Sequence, residues 1–268
     1  MDTKIPWHAR IAFVLALILP VYLGGSALGT KFGLWDWQLG LSAFAIGGMV
    51  LIAITVLLAL VSLILILRKA PRKGWSRSAI ALLIPLGFIG FFAPIFLEAG
   101  NHPIHDVATD PVDPPQFSEQ TLELRAGLDA NPVYDYVTPL SQLEYWSGGD
   151  SPIEPPMANQ TLGDIIAERY PDLAPLPSDG ASTNEVVLAI EQAMADAGIS
   201  EIRSDSEAGT VEGVAETFWF GFKDDVAVRV ADGEIDFRSI SRVGRSDVGA
   251  NAARIRNLRE AVAARLTE

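Results

Sequence analysis

Cysteine is absent from the 268 residues, which excludes a disulfide framework, thiolate metal sites, iron–sulfur clusters and c-type haem attachment. Its absence does not decide the compartment, because exported domains also fold without disulfides. Histidine is scarce. There are three, and none follows His105, so a Ser–His–Asp triad has only His102 and His105 to draw on. Acidic residues are almost missing from the first 97 positions, with 2 Asp+Glu against 8 Lys+Arg, while the remainder carries 31 against 12. Formal charges of +6 and −19 on the two parts mark two different physical objects. The acidic part would repel the phosphates of nucleic acid and resists flat adsorption onto anionic lipid. Solvation is the plain reading of that much acid.

The first part is dominated by three uncharged apolar runs, Ile11 to Leu28, Leu39 to Leu67 and Ala79 to Leu97. A helix needs about 20 apolar residues to cross a bilayer core, so residues 1–97 are expected to form a membrane anchor of three transmembrane helices. The middle run exceeds that length and is expected to tilt or to leave its first turn in the interface. Pro20, Pro85 and Pro94 are tolerable where neighbouring helices satisfy the freed carbonyls. Gly24, Gly25, Gly47, Gly48, Gly87 and Gly90 suit close helix packing. Basic residues set the orientation. Lys4 and Arg10 precede the first run, and Arg68, Lys69, Arg72, Lys73 and Arg77 fill the loop between the second and third. The positive-inside rule then places the N-terminus and that loop in the cytoplasm of a bacterial inner membrane, with the C-terminal part periplasmic. Cleavage of the first run as a signal peptide at Gly25-Ser26-Ala27 would leave that side unchanged.

Residues 98–117, with Pro103, Pro111, Pro114 and Pro115, read as an extended linker or arm. Residues 118–268 read as an α+β domain, an antiparallel sheet with packed helices. Helices are expected around 118–130, 160–170 and 183–197, the last opened by a capping box of Ser182 and Glu185 and stopped by Gly198. Strands are expected at roughly 199–204, 210–220, 225–231 and 234–241. A final helix from about Asp247 carries Ile255, Leu258 and Val262 on one stripe. Asp232-Gly233 is a favoured two-residue hairpin turn, which pairs Ala231 with Glu234, Arg229 with Asp236, Val228 with Phe237 and Ala227 with Arg238. One face of the hairpin is apolar, and the other carries the Arg229–Asp236 pair. Arg238, opposite an alanine, is left without an assigned task.

The stretch Thr217-Phe-Trp-Phe-Gly-Phe-Lys-Asp-Asp225, with Val228-Arg-Val230, Asp236 to Asn251 and Arg254-Ile-Arg256, resembles the domain of unknown function family 1499. His105-Asp-Val-Ala-Thr-Asp110, Pro114-Pro115 and Tyr170-Pro171 fit the N-terminal part of that family. The resemblance covers roughly residues 100–265 and leaves the three-helix anchor outside it. It implies no established activity, cofactor or catalytic residue.

The most suggestive cations are Arg238, Arg242, Arg245, Arg254 and Arg256, which face a single local acid, Asp247. A glycine-containing loop enters a helix there, a geometry that presents backbone N–H groups to anions. One reading is an anion-binding site of Arg238, Arg242, Arg245, Asn251 and Arg254. The other is a folding network in which these arginines pair with the domain's own carboxylates, such as Asp110, Asp224 and Asp225. With so much acid at hand, the second takes precedence. Gly244 and Gly249 mimic a phosphate loop, but Ala250-Asn251 stand where Lys and Ser/Thr are needed. Asp224 and Asp225 point to opposite faces of an extended chain and make no catalytic dyad. Phe218, Trp219, Phe220 and Phe222 are expected to pack in the core, and Gly221 to mark a bulge. His102, His105, Asp106 and Asp110 match no common metal spacing, so neither metal nor cofactor is expected.

Three functions follow in order. The first is a non-catalytic envelope protein whose domain binds an anionic small molecule, a lipid headgroup or a protein partner. The second is an accessory subunit of a larger inner-membrane complex, its helices packing on other membrane subunits. A hydrolase of lipid or cell-wall material ranks last.

Overall fold

The computed structural model describes residues 4–68, 70–101, 104–148 and 153–267. The chain divides into two units, Met1–Glu98 with Thr217–Gly221, and Ala99–Glu216 with Phe222–Glu268.

The first unit holds α1 (Trp7–Lys31), α2 (Trp37–Leu67, with a π turn at Ala43–Gly47) and α3 (Trp75–Asn101). All three are long and apolar enough to cross a membrane. Asp36 caps α2, its carboxylate accepting from the Leu39 N–H at 2.7 Å. In a bilayer, where lipid offers no hydrophobic drive between helices, close backbone approach and interhelical hydrogen bonds would hold such a bundle. Ala12, Ala16, Ala59 and Ala81 are fully buried at the contacts. His8 Nδ1 lies 2.7 Å from Ser62 Oγ, itself 2.7 Å from Ser78 Oγ, which links α1, α2 and α3 in one chain. Of the six glycines expected at helix contacts, Gly47 and Gly48 face Tyr22 and Leu23 with no room for a Cβ. Gly24, Gly25, Gly87 and Gly90 have open space there.

Thr217–Gly221 corrects the expected core strand. The strand stops at Glu216, and Phe218 and Trp219 are 72% and 56% exposed. Gly221 closes a turn onto the Thr217 carbonyl at φ 68°, where a bulge was expected. Within this unit Lys31 Nζ donates to the Phe218 carbonyl at 2.9 Å, and Phe220 meets Phe44 edge-on at 5.5 Å.

The second unit contains β1 (Asp106–Ala108), α4 (Glu119–Gly127), α5 (Leu162–Arg169), β2 (Leu176–Pro177), α6 (Thr183–Asp196), β3 (Ser200–Asp205), β4 (Thr210–Glu216), β5 (Lys223–Ala231), β6 (Glu234–Ser241) and α7 (Ala250–Leu266). The sheet is antiparallel in the order β1-β6-β5-β4-β3, with β2 also pairing β6. The β5–β6 register is the one the Asp232-Gly233 turn dictates, Ala231 to Glu234 through Ala227 to Arg238. Both turn residues have positive φ, 52° and 83°, as a type I′ turn requires. The capping box of α6 also forms, Ser182 with Glu185.

Val186, Ile190 and Met194 of α6 and Ile255, Leu258 and Val262 of α7 join Val226, Val228, Ile235 and Phe237 in one buried core. Burying each such side chain contributes about 1.5–3 kcal/mol. The opposite sheet face is covered too, and this departs from expectation. Phe117 from the arm packs on Ala227 and Ile240. The arm itself is part of the sheet, because β1 lies inside residues 98–117 and Ile104 and Val107 are fully buried. Asp224, Asp225, Asp236 and Arg238 of β5 and β6 are therefore buried, and they need partners.

Candidate functional site

Arg238 sits on β6, where its neighbour β1 brings Asp106 across the ladder. It is 0% exposed. Nη2 and Nε donate to the two Asp106 oxygens at 2.7 and 3.1 Å, and further N–H groups reach the Pro115 and Tyr134 carbonyls at 3.1 Å. The guanidinium is flanked by the rings of Phe117 and Tyr136 at 5.5 and 5.0 Å, and Tyr136 donates to Asp106 at 2.5 Å. Burial pulls the Arg238 pKa down, but Asp106 and Tyr136 outweigh it and hold the group above its ordinary value. Burial likewise raises the Tyr136 hydroxyl, with the Asp106 charge adding to it.

Asp224 and Asp225 diverge as strand alternation requires. Asp225 serves two arginines on the arm side. Arg242 donates from Nε at 3.0 and 3.1 Å and from Nη2 at 2.6 Å, and Arg125 of α4 donates from Nη1. Burial lowers the Arg125 pKa, opposed chiefly by Asp225. On the other face Asp224 accepts from Arg254 Nη2 at 2.6 Å. Arg254 Nη1 also reaches Ser239 and Asn251, and the Asn251 amide donates to the His105 carbonyl at 2.9 Å.

The start of α7, where backbone N–H groups were expected to face an anion, already holds one from the chain. The buried Asp247 carboxylate accepts from the Gly249 and Asn251 N–H groups at 2.9 and 2.8 Å. Burial raises the Asp247 pKa against the pull of those two bonds. Arg245 lies over the Tyr145 and Trp146 rings at 6.0 and 5.6 Å.

The structure thus brings Arg238 and Arg242 together with Asp106 and Asp225 on the arm side of the sheet, and Arg254 and Asn251 together with Asp224 on the other side. This geometry favours ion pairing inside the domain. Arg256 pairs with Asp172 at the surface. Asp106, Arg125, Tyr136 and the capping role of Asp247 were not legible beforehand. Asp106 did stand inside the His105–Asp110 motif, its one advance signal. His102 lies outside the described residues, and no cluster of three metal-ligating side chains occurs among the described ones.

His105 is buried, stacked on Trp146 at 5.2 Å and edge-on to Tyr145 at 5.0 Å. Burial, opposed by the Asp106 charge, lowers its pKa from 6.5 to about 4. Between those values the unfolded chain binds more protons than the folded one, so stability falls as pH drops from 6.5 towards 4. The loss attributable to His105 is about 3 kcal/mol. Carboxylates titrate in the same range, so the measurement is a comparison: unfolding free energies at pH 7 and pH 4 for the parent and for His105→Phe. The variant is expected to lose correspondingly less, and equal losses would count against a buried neutral imidazole.

The fold and these two polar clusters define a class: an α+β domain stapled by internal arginine–aspartate pairs, carried on a chain with three membrane-length helices. The chain belongs to the family described as "Protein of unknown function (DUF1499)", which matches residues 106–262. The three helices lie outside that match. No curated protein and no solved structure matches the chain.

Proposed function

We propose that the protein is a non-catalytic module of the bacterial cell envelope. Three membrane-spanning helices hold it in the inner membrane with its N-terminus and the 68–77 loop in the cytoplasm. Its acidic domain faces the periplasm and binds a partner there. The observation that carries this reading is the use of the charged side chains. Arg125, Arg238, Arg242 and Arg254 are committed to Asp106, Asp224 and Asp225. The groups that would bind an anionic substrate or perform acid–base chemistry are spent on holding the fold. Such a domain suits recognition of a protein better than capture of a small anion.

Reporter fusions test the placement. Alkaline phosphatase joined after Glu268 is expected to be active and green fluorescent protein at the same point dark, and the reverse pattern sinks the topology. A second reading, an accessory subunit of a larger membrane complex, is favoured by α3. Only 11% of its most apolar stretch is buried within the chain, against 33% for α1. Native mass spectrometry after gentle solubilisation separates the two, because only a subunit carries a stoichiometric membrane-protein partner.

A further inference from the structure

The buried arginines spend their charge internally, and the cations of the helical unit do the opposite. Lys4, Arg10, Arg68, Arg72, Lys73 and Arg77 gather where α1 begins, α2 ends and α3 begins. Among the described residues 4–97 the one acid is Asp36, which caps α2 at the opposite end. Among the described residues this end of the bundle therefore carries a concentrated positive charge and no carboxylate. An open cavity of about 280 Å³ lies among these residues, lined by Lys4, Pro6, His8, Leu65, Ile66 and Lys73, with Pro71 beside them. His8 is held in the wall by its bond to Ser62. Lys4 and Lys73 reach it from two chain segments, and Leu65 lies on the exposed apolar surface of α2 while Ile66 is buried. A polar, cationic mouth continuous with an apolar helix face matches an amphiphile that has an anionic head and a hydrocarbon tail.

We propose that this cavity is a binding site for the phosphate headgroup of an anionic membrane lipid, with Lys4 and Lys73 as the charge partners. Its volume falls just under the ~300–1,000 Å³ of pockets that enclose whole small molecules. It therefore suits a headgroup whose acyl chains remain outside, along Leu65. Basic pockets between transmembrane helices have the right chemistry for such headgroups. The site needs only that the helices lie in a bilayer, and it stands whichever partner the acidic domain binds.

The full-length protein in detergent, titrated by native mass spectrometry with phosphatidylglycerol or phosphatidylcholine of identical acyl chains, tests the proposal. The parent is expected to prefer phosphatidylglycerol. Each lysine contributes roughly fivefold, so Lys4→Gln with Lys73→Gln is expected to erase about 25-fold of that preference. Lys31→Gln, a cation at the other end of the bundle, is expected to keep it. Equal binding of the two lipids by the parent overturns the site, as does a preference unchanged in the folded double variant. Displacement of phosphatidylglycerol by millimolar inorganic phosphate would mark a soluble-anion site and overturn the lipid reading. Should the double variant not fold, salt dependence of the parent decides. Phosphatidylglycerol binding is expected to weaken with rising salt while phosphatidylcholine binding does not, and parallel behaviour overturns the site.

Discussion

Arg238→Ala is expected to destabilise the acidic domain by about 3–5 kcal/mol, the cost of removing one partner of a buried pair. Domains of ordinary size hold only about 5–15 kcal/mol in total, so this one change removes a large share. The loss is severe because Arg238 is fully enclosed and its removal strands the Asp106 carboxylate, itself 1% exposed, with Tyr136 as its remaining side-chain donor. The Pro115 and Tyr134 carbonyls lose their donors in the same step. Replacing both charges with apolar side chains, Asp106→Leu with Arg238→Met, is expected to cost less than Arg238→Ala alone, since no unpaired charge stays buried. Equilibrium unfolding followed by near-ultraviolet circular dichroism measures both. A cost below about 1 kcal/mol for Arg238→Ala would show that water reaches the stranded carboxylate.

Asp225→Asn is the second large effect. The substitution keeps shape and removes one negative charge from between two buried arginines, Arg125 and Arg242. Burial already works against the Arg125 charge, and without the Asp225 charge Arg125 keeps only the Asn131 and Ser241 carbonyls as acceptors beside a second buried guanidinium. The expected loss is again about 3–5 kcal/mol. Asp172→Asn provides the contrast. Its partner Arg256 is as close, but the pair is 55% and 36% exposed, and exposed pairs contribute about 0–1 kcal/mol. Similar losses for Asp225→Asn and Asp172→Asn would contradict the assignment of stability to burial of the pair.

The same residues show what was legible in the sequence. The hairpin register followed from Asp232-Gly233 because a two-residue turn fixes every pair behind it, and the start of α6 followed from Ser182 and Glu185. Both are local rules. The three apolar runs were equally plain, since a bilayer-length helix needs no partner to be seen. The opposition of Asp224 and Asp225 followed from strand alternation. The partner of Arg238 did not, because Asp106 arrives from a strand hidden in a proline-rich arm that local pattern reads as a linker. Phe218 and Trp219 were misplaced for a related reason. Aromatic content signals burial only while the strand continues, and Gly221 turns the chain instead. The anion expected at the start of α7 was the right chemistry with the wrong owner, for the carboxylate is that of Asp247.

The separation of Asp106 and Arg238, 132 residues apart in the chain, also governs when the domain is able to fold. Until β6 has been synthesised, β1 has no strand to join and Asp106 no countercharge. The long-range pairing must wait for nearly the whole chain. This pairing therefore stays open through most of the chain's synthesis. It closes only once β6 has been made.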